Sequence, residues 1–231
     1  MNETVRVFNI YQLEKVFLRL DTINKMVILV LAAHPDDEVL GCGGTIAKYA
    51  KQGEDIVSVI FSDGNPIKSS KDFIVKRRKE SIAASKILGV SDTVFLGLPD
   101  NPFNHNISSK KIKDRVQKII TKLKPRLIFT HSPDDPHPAH IAISKLATEI
   151  NSETKADIYM FAIGNPFKLK QRDKPRMYID ISDTFEIKRK ALQEFKSQEH
   201  ILLYYKILSY MSSKISGLHS RHTYAEVFYK C

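Results

Sequence analysis

The chain has 231 residues, of which 42% are hydrophobic and 27% are charged, as in an ordinary globular protein with a sizeable core. The longest strongly apolar run, residues 26–33, is too short to span a bilayer, which takes roughly 20 residues. The net charge is +10, but the lysines are scattered, without a basic tail or a nucleic-acid motif. This pattern argues against a nucleic-acid-binding protein. The simplest explanation of the positive charge is a surface of solvated lysine side chains, and the main alternative is an anionic, phosphate-bearing substrate.

Residues 1–25 mix charged and apolar side chains, so we expect an N-terminal extension, helical in character, rather than a secretory signal. Residues 26–231 show no internal repeat or low-complexity linker and are expected to form a single domain. Only two cysteines occur, Cys42 and Cys231, and they provide no disulfide framework. A reducing, cytoplasmic location is the resulting expectation.

Short β-branched runs alternate with longer helical patterns, which predicts an α/β fold with a mostly parallel sheet flanked by helices. Strands are predicted at 27–32, 56–61, 93–96, 126–130, 158–161 and 177–181. Helices are predicted at 43–52, 74–88, 110–123, 139–150 and 185–198, followed by an amphipathic segment at 200–213. Ligands of such sheets bind beyond the carboxyl ends of the strands, so polar residues that follow strands are the first candidates for a site.

A first polar cluster, His-Pro-Asp-Asp-Glu at 34–38, directly follows the first predicted strand. Three acids and a histidine beside a buried strand repel one another, and a metal ion would offset that cost. In a helical turn, residues three apart share a side, so His34 and Asp37 can hold one ion while Asp36 is free for proton transfer. The simpler alternative is that Asp36 and Asp37 only cap the next helix.

Glycines at 41, 43 and 44 raise the alternative of dinucleotide binding. The G-x-G-x-x-G fingerprint requires a glycine where Ile46 stands, and the preceding acids would repel a pyrophosphate. We therefore expect these glycines to allow close approach of the backbone near the site.

A second polar cluster, residues 131–140, follows the strand predicted at 126–130 and contains three histidines and two aspartates. His137 and His140 repeat the three-residue spacing, with Pro138 in the first turn of the next helix. Two histidines and one carboxylate form a three-ligand zinc set with an open position, the catalytic arrangement. Iron(II), cobalt and nickel suit the same ligands, and abundance favours zinc or iron(II).

At these two clusters the sequence resembles the PIG-L/LmbE-like family of zinc-dependent N-deacetylases. The family motif A-H-P-D-D-E stands at residues 33–38, an R-x-x-E element at 77–80, and the second motif, H-P-D-H in the family, reads H-P-A-H at 137–140. The likeness covers about residues 26 to 228. It implies a Rossmann-like three-layer fold and a hydrolase that removes the acetyl group from an N-acetylglucosamine-type conjugate.

The resemblance also implies roles for individual residues. The metal ligands would be His34, Asp37 and His140, and Asp36 would be the general base. His137 would stabilise the oxyanion, and Arg77 would contact substrate.

Ala139 departs from the family motif, because it replaces an aspartate expected to tune the neighbouring histidine; Asp134 or Asp135 is a candidate substitute. This loss opens the alternative of a non-catalytic sugar- or metal-binding descendant, although retention of Asp36 argues against it.

Overall fold

The computed structural model describes residues 25–64, 71–99, 107, 109–152, 154–163 and 175–231. Residues 1–24 lie outside these ranges, so the helical N-terminal extension and its boundary with the domain stay predictions.

The described strands and helices alternate along most of the chain, as the sequence predicts. They are β1 (Val27–Ala32), α1 (Asp37–Lys51), β2 (Asp55–Ser62), α2 (Lys71–Leu88), β3 (Asp92–Leu98), α3 (Lys110–Leu123), β4 (Leu127–His131), α4 (Pro138–Asn151), β5 (Asp157–Phe161), β6 (Arg176–Asp180), α5 (Phe185–Leu192), a 3-10 turn (Lys196–Gln198), α6 (Glu199–Ser220) and β7 (Ala225–Lys230).

The seven described strands form one sheet in the order β3-β2-β1-β4-β5-β7-β6. Strands β1 to β5 are parallel, and β7 runs antiparallel to both β5 and β6. The α/β class and the mostly parallel sheet are thus confirmed. The strand order reverses between β1 and β4, a switch point of the kind where such sheets bind ligands.

Two apolar clusters cover the two faces of the sheet. One packs α3 and α4 against β1 to β5, and the other packs α1, α2, α5 and the start of α6 against the opposite face. The alternation of neighbours such as Leu29 and Val30 between the two clusters follows from the two-residue period of a strand. Within the described residues, no helix combines the length and apolar character needed to cross a membrane.

In the C-terminal part of the chain, the prediction missed one strand and misplaced the ends of two helices. No strand was predicted at 225–230, where β7 lies; α5 ends at Leu192 instead of residue 198; and α6 continues to Ser220, beyond residue 213. Strand β7 was missed because its buried acid, Glu226, breaks the apolar pattern. That carboxylate accepts hydrogen bonds from the backbone N–H groups of Gly44 and Thr45, a partnership that only the folded chain reveals.

Helix α1 begins at Asp37 instead of residue 43, and it is interrupted at Cys42, where φ is −144° and ψ is 22°. The glycines allow the close approach that the sequence led us to expect. A Cβ at Gly41 would lie within 2.7 Å of three Phe161 ring carbons, and a Cβ at Gly44 would lie 2.6 to 2.9 Å from three Ile181 side-chain carbons. Helix α1 therefore packs against Phe161 and Ile181 more closely than a residue with a Cβ atom would permit at positions 41 and 44.

Replacing Gly44 with alanine is expected to lower the free energy of unfolding by about 1–3 kcal/mol, because the new methyl group overlaps Ile181 near its backbone. Chemical denaturation measures the change. Ile181→Ala makes room for the methyl group, so the double variant should lose less stability than the sum of the two single variants. Additive losses would show that the Gly44–Ile181 contact is not the cause.

Candidate metal centre

The two polar clusters meet at the carboxyl edge of the sheet. Strand β1 ends just before His34, and β4 ends at His131; these strands are parallel neighbours. The carboxyl ends of parallel neighbours lie side by side, so the loop after β1 and the start of α4 converge although about 100 residues separate them. The structure thus brings His34, Asp37 and His140 into one buried cluster.

Asp37 lies at the centre of the cluster. Its Oδ2 atom accepts a hydrogen bond from the His34 backbone N–H at 2.8 Å and lies 3.1 Å from both His34 Nδ1 and His140 Nε2. Burial raises the pKa of Asp37, but the nearby imidazoles of His140, His34 and His131 outweigh it and hold the pKa well below its usual range. The centre is an ionised carboxylate enclosed by imidazole rings.

Two overlapping groups in the described residues have metal-ligand spacing, with all ligand atoms of each within 4.8 Å of one another. One contains His34, His137 and His140, and the other contains Asp37, His131 and His140. His140 belongs to both. The first group offers three histidine nitrogens, and the second offers two nitrogens and one carboxylate. Both kinds of donor suit zinc and its divalent neighbours, so the residues present fit a metal ion.

His131 was not assigned a role from the sequence, yet it is fully buried and stacks on His140 with ring centroids 4.0 Å apart. Its Nε2 atom accepts a hydrogen bond from the Ala33 backbone N–H at 3.0 Å, and burial holds its pKa well below the usual range. The lone pair of Nε2 is therefore engaged by the backbone. The geometry favours a role for His131 in fixing the ring plane of His140.

Asp135 is a second partner of His140. From the sequence it was only a candidate substitute for the missing motif acid. Its Oδ1 atom lies 2.9 Å from His140 Nδ1 and accepts a hydrogen bond from the His137 backbone N–H, and its Oδ2 atom accepts one from the Ile163 backbone N–H. Burial opposes ionisation, but the contacts with His140 and these backbone groups bring the pKa of Asp135 to about 2. Burial likewise lowers the pKa of His140, while Asp37 and Asp135 raise it to about 9. Two carboxylates thus stabilise positive charge where a cation would bind.

Asp36 adopts a backbone conformation with φ of 132°, which residues other than glycine rarely adopt. The Val39 and Leu40 N–H groups bond to its carbonyl, and Arg77 donates to its Oδ2 atom at 2.9 Å. Such strain persists only where surrounding contacts fix it, and it concentrates at functional sites. Burial raises the pKa of Asp36 to about 6, with Arg77 opposing the rise.

Arg77 is 5% exposed and links two loops at the sheet edge. Besides Asp36, it donates hydrogen bonds to the carbonyl oxygens of Pro35, at 2.9 Å, and Gly64, at 2.6 Å. Arg77 also lines the pocket that opens above the cluster. Its bonds to Asp36 and the two loops are observed, and its contact with substrate stays a prediction.

His137 lies at the rim of the site and caps α4, where its Nδ1 atom accepts a hydrogen bond from the Ala139 N–H at 3.3 Å. Its ring centroid is 4.9 Å from that of His34 and 4.7 Å from that of His140. Ala139 is buried in the apolar cluster beneath α4, so an aspartate there would face hydrocarbon. The acid lost from the motif has its nearest counterpart in Asp135, whose carboxylate reaches His140.

Glu38 is fully buried, and burial raises its pKa to about 8 from an ordinary value of 4.5. Between these pH values the folded state holds a proton that the unfolded chain has released, so rising pH destabilises the fold through this group. In the Glu38→Gln variant the side chain cannot ionise, and it can still form hydrogen bonds with the Asp36 backbone N–H and the Ser81 hydroxyl. The free energy of unfolding of this variant, compared with that of the unsubstituted protein, should increase by up to about 1.4 kcal/mol for each pH unit. Denaturation of both proteins at several pH values from 5 to 8 measures this difference, and a difference that stays constant with pH would contradict the prediction. Glu149→Gln, at an exposed position, is the control.

The site opens into a pocket of about 170 Å³. The two polar clusters form its floor, and the 3-10 turn and α6 form its outer wall through Gln198, Ile201, Leu202 and Tyr205. The wall places an aromatic ring and an amide beside the cluster, which suits a polar organic ligand. Tyr205 lies on the pocket wall, whereas its neighbour Tyr204 is 60% exposed.

The fold and site define an α/β protein with a His/Asp cluster of metal-ligand spacing at the switch point of its sheet. Residues 29–151 match the family model described as PIG-L, GlcNAc-PI de-N-acetylase, and the chain belongs to this family. Deacetylases of the family are metal-dependent. The resemblance seen in the sequence motifs is therefore confirmed.

Three relatives show the range of activities named in the family. A deacetylase of Escherichia coli, YaiS, is 34% identical over 122 residues, which span 50% of this chain and 63% of that protein. Diacetylchitobiose deacetylase of Thermococcus kodakarensis is 26% identical, across 86% of this chain and 80% of its own. A 4-oxalmesaconate hydratase of Pseudomonas putida is 29% identical, across 77% and 76%.

The fold also matches a solved structure, that of N,N'-diacetylchitobiose deacetylase from Pyrococcus horikoshii in complex with an inhibitor. The TM-score is 0.74 at 24% identity, and the match covers 100% of this chain and 94% of that one. This likeness shows that the two chains share the three-layer α/β fold.

Proposed function

We propose that this protein hydrolyses the acetamide bond of an N-acetylated sugar, using a divalent metal ion held by His34, Asp37 and His140. The observation that carries the proposal is the position of Asp37, whose Oδ2 atom lies 3.1 Å from a nitrogen of each histidine, with Asp36 fixed beside it by Arg77. Diacetylchitobiose deacetylase, one of the relatives reported above, supports the substrate class by its name. Zinc is the ion we propose, because it prefers this donor set.

A metal ion bound there would supply Lewis-acid chemistry, polarising a carbonyl and acidifying water. Asp36 would take a proton from the attacking water, since its pKa of about 6 lets it accept and return a proton near neutral pH. His137, at the rim, would stabilise negative charge on the acetyl oxygen. As the new C–O bond forms and the C–N bond breaks, Asp36 passes its proton to the departing amine. The products are acetate and a free aminosugar.

The direct test is acetate release from a panel of N-acetylglucosaminides by the full chain. We expect release that a chelator abolishes and that zinc restores, because removal of the metal leaves no Lewis acid. Metal analysis of the purified protein, with iron(II), cobalt and nickel tested in reconstitution, identifies the ion. Acetate release that survives complete removal of metal would contradict the proposal.

The hydratase relative provides the second candidate, addition of water to a carbon–carbon double bond. Both reactions need an acidified water and a base such as Asp36, so the metal cluster alone suits either. Incubation with an unsaturated dicarboxylic acid, followed by loss of its ultraviolet absorbance, separates them. Hydration without acetate release from any N-acetyl sugar would favour this second candidate.

A further inference from the structure

A buried ion pair lies at the break in helix α1, outside the candidate metal centre. Lys188 of α5 is 2% exposed, Glu226 of β7 is 5% exposed, and the Nζ atom of the lysine lies 2.7 Å from Oε1 of the glutamate. The break at Cys42 separates the first half of α1, which carries Asp37, from the second half. Neither side chain of the pair takes part in the proposed reaction.

The pair binds two backbone groups that a regular helix would join to each other. In a regular α-helix the Gly44 N–H would donate to the carbonyl oxygen four residues earlier, that of Leu40. Here the Gly44 N–H donates to Glu226 Oε1 at 3.0 Å, and the Leu40 carbonyl oxygen accepts from Lys188 Nζ at 2.9 Å. Because the two side chains also bond to each other, they bridge the two halves of α1 across the break.

Glu226 fixes the second half of α1. Its Oε2 atom accepts a hydrogen bond from the Thr45 N–H at 2.8 Å, so the carboxylate caps the N–H groups that follow the break, where negative charge is favourable. The hydroxyl of Thr184, at the start of α5, donates to the Gly44 carbonyl oxygen at 2.8 Å. Strand β7 and helix α5 thus hold this half of α1 from two sides.

Lys188 connects that anchor to the site through the backbone of Leu40. The Leu40 carbonyl accepts the lysine bond, and the Leu40 N–H donates to the Asp36 carbonyl oxygen at 2.9 Å. Asp36 is the residue at which α1 starts, and Asp37 follows it. A change in the angle between the two halves of α1 would therefore move Asp37 relative to His140, which belongs to α4.

Stabilisation of the fold is by itself a weak explanation for the pair. Taking two charges out of water costs free energy that roughly offsets their attraction, so a buried ion pair often stabilises a protein no more than apolar side chains of similar volume. Apolar side chains, however, could bind neither the Gly44 N–H nor the Leu40 carbonyl. What the pair adds is the geometry of the break.

We propose that Lys188 and Glu226 are positioning residues, which set the angle of α1 at Cys42 and thereby hold Asp37 at the correct distance from His140 to share one metal ion. The inference rests on the proposed function, since it takes Asp37 and His140 as metal ligands. The pair acts on the ligands through the backbone of α1 and not by contact with the ion.

The test replaces the ion pair with a neutral pair, Lys188→Met together with Glu226→Gln. Neither charge is then left buried without its partner, so the chain should keep its fold, which circular dichroism and denaturation check. We expect the dissociation constant for zinc, measured by titration calorimetry, to rise about tenfold or more, the usual effect of losing a group that orients a metal ligand. The visible absorption of bound cobalt(II), which reports the coordination geometry, should change as well.

Two controls separate positioning from charge and from stability. Glu186→Gln together with Arg189→Met removes an exposed ion pair from the same helix, α5, and should leave the zinc affinity unchanged. Leu123→Ala removes a buried side chain on the opposite face of the sheet, so it should lower the free energy of unfolding but leave the zinc affinity and the cobalt spectrum unchanged. A pair with only a structural role would behave like Leu123→Ala.

A milder variant covers the case in which the neutral pair does not fold. Glu226→Asp keeps both charges but withdraws the carboxylate by one methylene group from the N–H groups of Gly44 and Thr45. We expect it to weaken zinc binding in the same direction as the neutral pair, by a smaller factor.

The positioning role is overturned if the folded neutral pair has the zinc affinity and cobalt spectrum of the unsubstituted protein, or if the neutral pair does not fold and Glu226→Asp has both. Acetate release from the same preparations tests the proposed function separately. Weaker zinc binding in the variants of a protein that releases no acetate would support the positioning role and contradict the proposed function. Acetate release with unchanged zinc affinity in the variants would do the reverse.

Discussion

His140→Ala is expected to reduce bound metal from about one ion per chain to a trace and to abolish acetate release. His140 is the one residue common to both groups with metal-ligand spacing, and both Asp37 and Asp135 lie within 3.1 Å of its ring nitrogens. Alanine removes the nitrogen ligand and leaves two buried carboxylates facing each other without the cation between them. Metal analysis after dialysis, together with the acetate assay, measures both effects.

A graded series makes this prediction sharper. Asp135→Asn keeps the ring of His140 in place but removes the charge beside Nδ1, and losses of this kind cost about 10–100-fold in metal affinity. Added metal should therefore rescue Asp135→Asn but not His140→Ala. His222→Ala, which removes an exposed imidazole near Asp180, is the matched control and should retain metal. Full metal content in His140→Ala would exclude His140 as a ligand.

The convergence of the two clusters could be predicted because it depends on general rules. The apolar run before His34 and the one that ends near Thr130 identify two parallel strands, and the loops that leave such strands at their carboxyl ends lie at one edge of the sheet. The three-residue spacings then select residues that share a side of a helical turn. The 3.1 Å distances from Asp37 to both histidines agree with that reasoning.

Other features of the site could not be predicted because they depend on contacts distant in sequence. Arg77 reaches Asp36 across 41 positions, and its bonds to two loop carbonyls appear only once β1 and β2 are paired. His131 looked like one of several polar residues, yet its Nε2 atom bonds to a backbone N–H 98 positions away. The Lys188–Glu226 pair is similar, since it joins α5 to a strand whose pattern gave no clear signal.

Asp36→Asn is expected to lower kcat for acetate release by about 10²- to 10⁴-fold, the usual contribution of a positioned general base, while metal content stays unchanged. Asparagine has nearly the same shape, its side-chain oxygen can still accept the Arg77 hydrogen bond, and it tolerates positive φ better than most residues. The substituted side chain loses the carboxylate that can take the proton of the attacking water, together with the negative charge beside Arg77.

To interpret the Asp36→Asn variant, kcat and metal content must be measured on the same preparation. Asp157→Asn, at an exposed carboxylate at the amino end of β5, is the matched control and should keep both. Loss of metal in Asp36→Asn would instead place Asp36 among the ligands. Full turnover with full metal would show that another group takes the proton, and His137, the other catalytic candidate at the rim, would then be the residue to replace. A selective loss of kcat, with metal content and stability retained, is the result that assigns the base to Asp36.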